Sequence, residues 1–144
     1  MVYEPNQSGS KELPETDPRF VSGRWIGFYL QPQIHYGRCW MQLFLRFSEG
    51  KIQGDGRDIA GSFFLRGKYN LESAEVWFHK TYNDWHVYYK GRYARKAISG
   101  IWYLPVDSGD FVVWSVDNSD PTIRRLKAEA ELPVAVMPPS AVDS

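Results

Sequence analysis

The chain reads as an all-β protein: an eight-stranded antiparallel up-and-down β-barrel with a short C-terminal helix. Three observations point there. Short runs rich in aromatic and β-branched residues recur at fairly even spacing between turn residues. Most of the connections have two to six residues, too few for the crossovers that parallel neighbours need. Aromatic residues make up 16% of the chain and concentrate between Phe20 and Trp114, where pleated surfaces accept them. An open meander of this length leaves long aromatic edges unpaired, so closure is the better solution.

The elements follow in order. Residues 1–19, polar and rich in Pro, Ser and Glu, read as a disordered lead. The barrel domain is expected over 20–118, with strands at 23–31, 39–47, 51–58, 62–69, 74–82, 85–93, 97–104 and 111–116. "SEG", "IAG", "NLES", "ND", "ARK" and "PVDSGD" are the turns between later strands, and "PQIHYGR", residues 32–38, is the one longer connection. Over 119–144 a short helix and a flexible tail are expected: Ser119 or Asp120 as N-cap, Pro121 in the first turn, Ile123 and Leu126 three apart, then a Pro-rich end. Glycines recur inside the strands, as in "GDGRDIAGSFFLRGKY" (54–69). In a small closed barrel such glycines mark bends or close backbone approach.

The totals narrow the function. Lys plus Arg and Asp plus Glu both number 17, so the formal charge is zero, which argues against nucleic acid and against a membrane surface as partners. The single cysteine, Cys39, allows no internal disulfide and fits a reducing compartment. No apolar run suggests a signal peptide or a membrane span, so a cytoplasmic protein is expected.

"GRWIGFY" opens the meander with Gly-x-Trp, and "FLRGKY", "EVWFHKTYN", "YYKGRY" and "ISGIWYL" follow. Over residues 20–116 the chain resembles the calycin barrels, with avidins nearest and lipocalins more distant. The resemblance implies an eight-stranded barrel whose open end binds a ligand. It also implies a homo-oligomer assembled through outer faces. Avidin-type sites grip biotin with small hydroxyl and amide side chains. Here the first strand ends in Tyr29 and Gln31 instead, which argues against biotin.

Strand alternation assigns the faces. The inward sets are Trp25, Gly27, Tyr29 and Gln31; Met41, Leu43, Leu45 and Phe47; Ile52, Gly54, Gly56 and Asp58; Phe63, Leu65, Gly67 and Tyr69; Val76, Phe78, Lys80 and Tyr82; and Ile98, Gly100 and Trp102. Because alternate strands run in opposite directions, the inward polar residues converge at one mouth. The starts of the even strands, Trp40, Phe63, His86 and Phe111, belong to the same end. The expected ligand-binding residues are therefore Tyr29, Gln31, Asp58, Lys80, Tyr82 and Trp102. An inward carboxylate and ammonium are costly unless paired or solvated. Asp58 and Lys80 are thus either a structural ion pair or groups that hydrogen-bond a polar ligand; a register shifted by one residue would turn both outward.

The leading expectation is a non-catalytic barrel holding a small, partly polar ligand, with no cofactor. The second is an interaction module that uses outward Phe28, Trp77, Tyr89 and Trp114. A weaker third is an enzyme in which Asp58 works with Tyr82 or His86. The run 77–96 interleaves aromatic and basic residues in a manner suited to stacking bases, but it packs a barrel strand equally well. His35, His79 and His86 lack metal-ligand spacing, and no nucleophile elbow, phosphate loop or dinucleotide fingerprint is present.

Overall fold

A computed structural model describes residues 13–116 and, beyond them, Arg125, Ala128 and Glu129; the side chain of His35 lies outside the described set. Eight strands follow one another: β1 (Gly23–Gln31), β2 (His35–Ser48), β3 (Lys51–Asp58), β4 (Gly61–Tyr69), β5 (Glu75–Thr81), β6 (His86–Ala94), β7 (Ala97–Leu104) and β8 (Asp107–Ser115). Each pairs antiparallel with the next, and β8 returns to β1, so the sheet is a closed up-and-down barrel. Of the expected C-terminal helix, Arg125, Ala128 and Glu129 are helical; the rest of 119–144 lies outside the described residues.

Two strands are longer than the sequence suggests. β2 starts at His35 rather than Cys39, so the connection shrinks to 32–34. A register shift after Leu30 absorbs the irregularity, and Gly37 there takes φ +79°. β8 starts at Asp107 rather than Phe111, because Leu104 pairs with Asp107 across the turn at Pro105 and Val106. Polar, glycine-containing sequence reads as loop in both places, yet the ladder continues through it.

The inward sets are those that alternation assigns, Gln31 excepted, and their apolar side chains form one buried core cluster inside the barrel. Close approach, the second reading of the strand glycines, accounts for their positions. A methyl group on Gly67 would collide with the Trp77 carbonyl and with Phe78 on β5. One on Gly56 would meet the Gln42 carbonyl and the Phe63 ring.

The first rim is closed by the chain that leads into β1. Phe20 is fully buried, with ring centroids 4.9 Å from Tyr69, 5.6 Å from Phe47 and 5.8 Å from Tyr93. Glu15 N–H donates to the Phe47 carbonyl (3.0 Å), and the Tyr69 hydroxyl donates to the Glu15 carboxylate (2.5 Å). Residues 13–19, expected within a disordered lead, are thus tied to the barrel end. Three inward rings, Phe47, Tyr69 and Tyr93, that Phe20 packs against supply the reason.

Candidate functional site

At the opposite end the geometry brings Tyr29, Asp58, Lys80 and Tyr82 together. Asp58 ends β3 and Lys80 lies near the end of β5, so strand direction delivers both to the second rim. Lys80 Nζ donates to Asp58 Oδ2 at 2.7 Å, and the Tyr82 hydroxyl donates to the same oxygen at 2.5 Å. Ala60 N–H donates to Asp58 Oδ1 at 2.8 Å, which ties the turn after β3 to its own carboxylate. The ammonium is only 1% exposed. It sits 4.5 Å from the Tyr29 ring centroid, 4.8 Å from Phe63, 5.0 Å from Tyr89 and 5.5 Å from Tyr82, with Met41 Sδ at 3.7 Å. Each ring face offers the cation about 0.5–2 kcal/mol.

Burial governs the proton affinities here. It pulls Lys80 below the ordinary lysine range, against the raising influence of Asp58. It pushes Tyr29, Tyr82 and Tyr89 upward, and the Asp58 carboxylate beside them adds to the rise. Burial likewise raises the Cys39 thiol. The cluster is a neutralised ion pair surrounded by protonated phenols.

Two expected site residues stand apart. Trp102 lies beside the cluster, its ring centroid 6.3 Å from that of Tyr29 and its backbone opposite Tyr89, and its indole N–H donates to the Leu30 carbonyl at 2.8 Å. Gln31 is half-exposed at the rim, where its carbonyl accepts Ile34 N–H, and it is not among the cluster's hydrogen-bond or ring partners. Trp40 and His86, assigned to the same end, lie on the outer wall: Trp40 packs edge-on against Phe28, and His86 Nδ1 is 3.1 Å from Thr81 Oγ1.

The outward aromatic set needs correction. Tyr89 points into the lumen, stacked on Phe78 at 4.8 Å, because the β5–β6 register sets it opposite that inward residue. The same register explains why Val87 and Gly91 face in while Tyr88, Lys90 and Arg92 face solvent. Trp114 does point outward but is fully buried with Ile26 in a second cluster that includes Phe28 and Trp40. Arg38 lies over the Phe28 ring (5.0 Å) and pairs with Glu129 (2.7 Å). Of the four expected residues, Trp77 is exposed.

Exposed instead are Phe44, Phe64, Tyr88, Ile101 and Tyr103 on the outer wall of β2 to β7. On this wall Tyr88 and Tyr103 stack at 5.6 Å, beside His79 and His86. Burial and the neighbouring His86 lower the proton affinity of His79. Alternation places Phe44, Phe64, Ile101 and Tyr103 outward, whereas Tyr88 faces outward against the expectation that put Tyr89 there. Nothing in the sequence showed that these side chains stay uncovered.

Comparison with family models, with curated proteins and with solved structures finds no match for this chain. The closed up-and-down barrel is compatible with the calycin architecture. Among the described residues no helix is long and apolar enough to cross a membrane.

Proposed function

We propose that the protein is a non-catalytic interaction module that works through the outer wall of its barrel. The observation that carries this reading is the set of solvent-exposed rings and aliphatic groups on β2, β4, β5, β6 and β7, with Phe44, Phe64, Trp77, Tyr88, Ile101 and Tyr103 all at least 39% exposed. Exposed apolar surface of this extent marks a binding face. The lumen supports the same view, because its polar groups already satisfy one another. Self-association into a homo-oligomer is one form of this reading. Cys39, free and buried, fits a cytoplasmic setting.

A second reading keeps a small, partly polar ligand at the mouth formed by Tyr29, Gln31, Asp58, Lys80, Tyr82 and Trp102, in the manner of avidin-like barrels. What favours it is the gathering of the inward polar atoms at one end of an otherwise apolar lumen. Native mass spectrometry against the denatured mass separates the two. A multimer without excess mass, reduced to monomer by Trp77→Ser with Tyr103→Ser, supports the wall. A retained small molecule, lost on Lys80→Met, overturns it. For a hetero-partner, cross-links from the intact protein in cells must fall on β4 to β7 and vanish in the same double variant. Cross-links elsewhere refute the wall.

A further inference from the structure

We propose that the β2–β5 part of the outer wall binds single-stranded nucleic acid. Bases would stack on Phe44 and Phe64, and phosphates would be held by Arg24, Arg46, Arg57 and Arg66. The inference rests on the reading that the outer wall is the working surface, and it names the partner of one part of it.

The register builds the surface. One cross-strand row runs Arg24, Phe44, Asp55, Phe64, Thr81. The row on one side carries Gln42, Arg57 and Ser62, and the row on the other carries Arg46, Gln53 and Arg66. An aromatic row therefore lies between two rows that carry arginines. Phe44 is 57% exposed and Phe64 71%. Two clefts, of about 420 and 480 Å³, flank Phe64 and share Asp55 and Thr81. Arg24 and Arg57 line the first; Arg46 and Arg66 line the second. Among the described residues, none of the four arginines pairs with a carboxylate, and Arg46 donates only to Gln53 (3.1 Å). Asp55 is the one acid between them.

The chemistry selects the occupant. A polyanion satisfies four guanidinium groups, and planar bases use two exposed phenyl rings about 10 Å apart on alternate strands. An acidic peptide needs the arginines but not the rings. A second copy placed symmetrically on this face sets arginine against arginine. The zero formal charge, which argues against nucleic acid, hides a segregation. Between Gly23 and Val116 basic residues outnumber acidic ones twelve to eight, and the flanking segments carry the compensating acids.

The test is fluorescence anisotropy of the full chain with a fluorescein-labelled twelve-residue oligothymidylate. Four phosphate contacts predict a slope near −2.8 in log affinity against log salt, roughly a 50-fold loss between 50 and 200 mM. Phe44→Ala and Phe64→Ala should each weaken binding roughly 5- to 100-fold without changing the slope. Arg57→Gln with Arg66→Gln should flatten the slope by about 1.4. Asp55→Asn should tighten binding, a gain that misfolding does not produce. No binding at 50 mM salt overturns the proposal. So does polyglutamate competing as well as the oligonucleotide while both phenylalanine variants bind unchanged; the face then takes acidic protein. Failure here leaves the wall reading standing if the cross-links on β4 to β7 persist.

Discussion

Removal of the Asp58 carboxylate should be among the most damaging single changes to this barrel. Among the described residues its Oδ2 is the only anionic partner of Lys80 Nζ, at 2.7 Å, and both side chains are out of solvent. Asp58→Ala leaves an ammonium enclosed by Tyr29, Phe63, Tyr82 and Tyr89, and it strips the Tyr82 hydroxyl and Ala60 N–H of their acceptor. Breaking a buried pair from one side costs about 3–5 kcal/mol. For a domain of this size that is a fall in Tm of at least about 12 °C. Lys80→Met is milder, about 1–3 kcal/mol, because the carboxylate keeps two donors and the thioether fills the stem's place. The double variant Asp58→Ala/Lys80→Met should be more stable than Asp58→Ala alone, since the stranded charge is gone. The assay is urea unfolding of all four proteins, followed by far-UV circular dichroism. pH supplies a check on sign. Folded Lys80 binds its proton less firmly than an unfolded lysine does. Between its lowered value and the ordinary lysine range the unfolded state therefore holds more protons, and this group's contribution to stability rises with pH. Additive costs in the cycle, or a loss under about 1 kcal/mol for Asp58→Ala, would refute the account.

Three further outcomes are expected. Tyr29, Tyr82 and Tyr89 titrate above their ordinary value, and burial with the Glu15 hydrogen bond pushes Tyr69 up to about 12. The stability they contribute is present below about pH 10 and lost as pH rises beyond it. Absorbance at 295 nm should show these phenols ionising together with unfolding rather than before it. Gly67→Ala should cost more than about 1–3 kcal/mol because the new methyl meets β5 backbone, whereas Gly37→Ala has open space and costs only the positive φ, about 1–2 kcal/mol; thermal melts compare them. Phe20→Ala should cost about 3–5 kcal/mol and speed amide exchange at residues 13–19, since it removes the ring that seals the first rim.

The barrel was legible because half-buried strands carry a period of two. Trp25 with Tyr29, Met41 with Phe47 and Phe78 with Lys80 sort themselves by alternation, and short turns force antiparallel neighbours. The extra length of β2 and β8 was not legible: Gly37 and Gly109 signal loop locally, while pairing with β1 and β7 decides otherwise. Tyr89 was misplaced outward because β6 alternates two kinds of aromatic and polar residue, and only its register against Phe78 breaks the tie. Trp114 faces outward as alternation requires, but whether an outward ring is covered depends on contacts that no local pattern encodes. The polar cluster was half legible. Asp58, Lys80 and Tyr82 follow from strand direction, whereas the ring cage around Nζ needs side-chain geometry.

The buried pair has a role that requires no ligand. Asp58 and Lys80 belong to strands separated by β4, so their contact fixes three strands at once. A one-residue slip of β3 against β2, or of β5 against β4, turns one charge outward and leaves the other unpaired in the lumen. Apolar inward residues impose this less strictly, because several of them tolerate exchange of neighbours. A polar group placed in a closed lumen therefore penalises wrong registers more than it rewards the right one. The cycle bears directly on this: an apolar double variant that approaches wild-type stability would show that the pair adds little net energy, and its value would then lie in the alternatives it excludes. Among the described residues, Arg24, Arg46, Arg57 and Arg66, which have no carboxylate partner, and the exposed Phe44 and Phe64 lie on the outer wall instead.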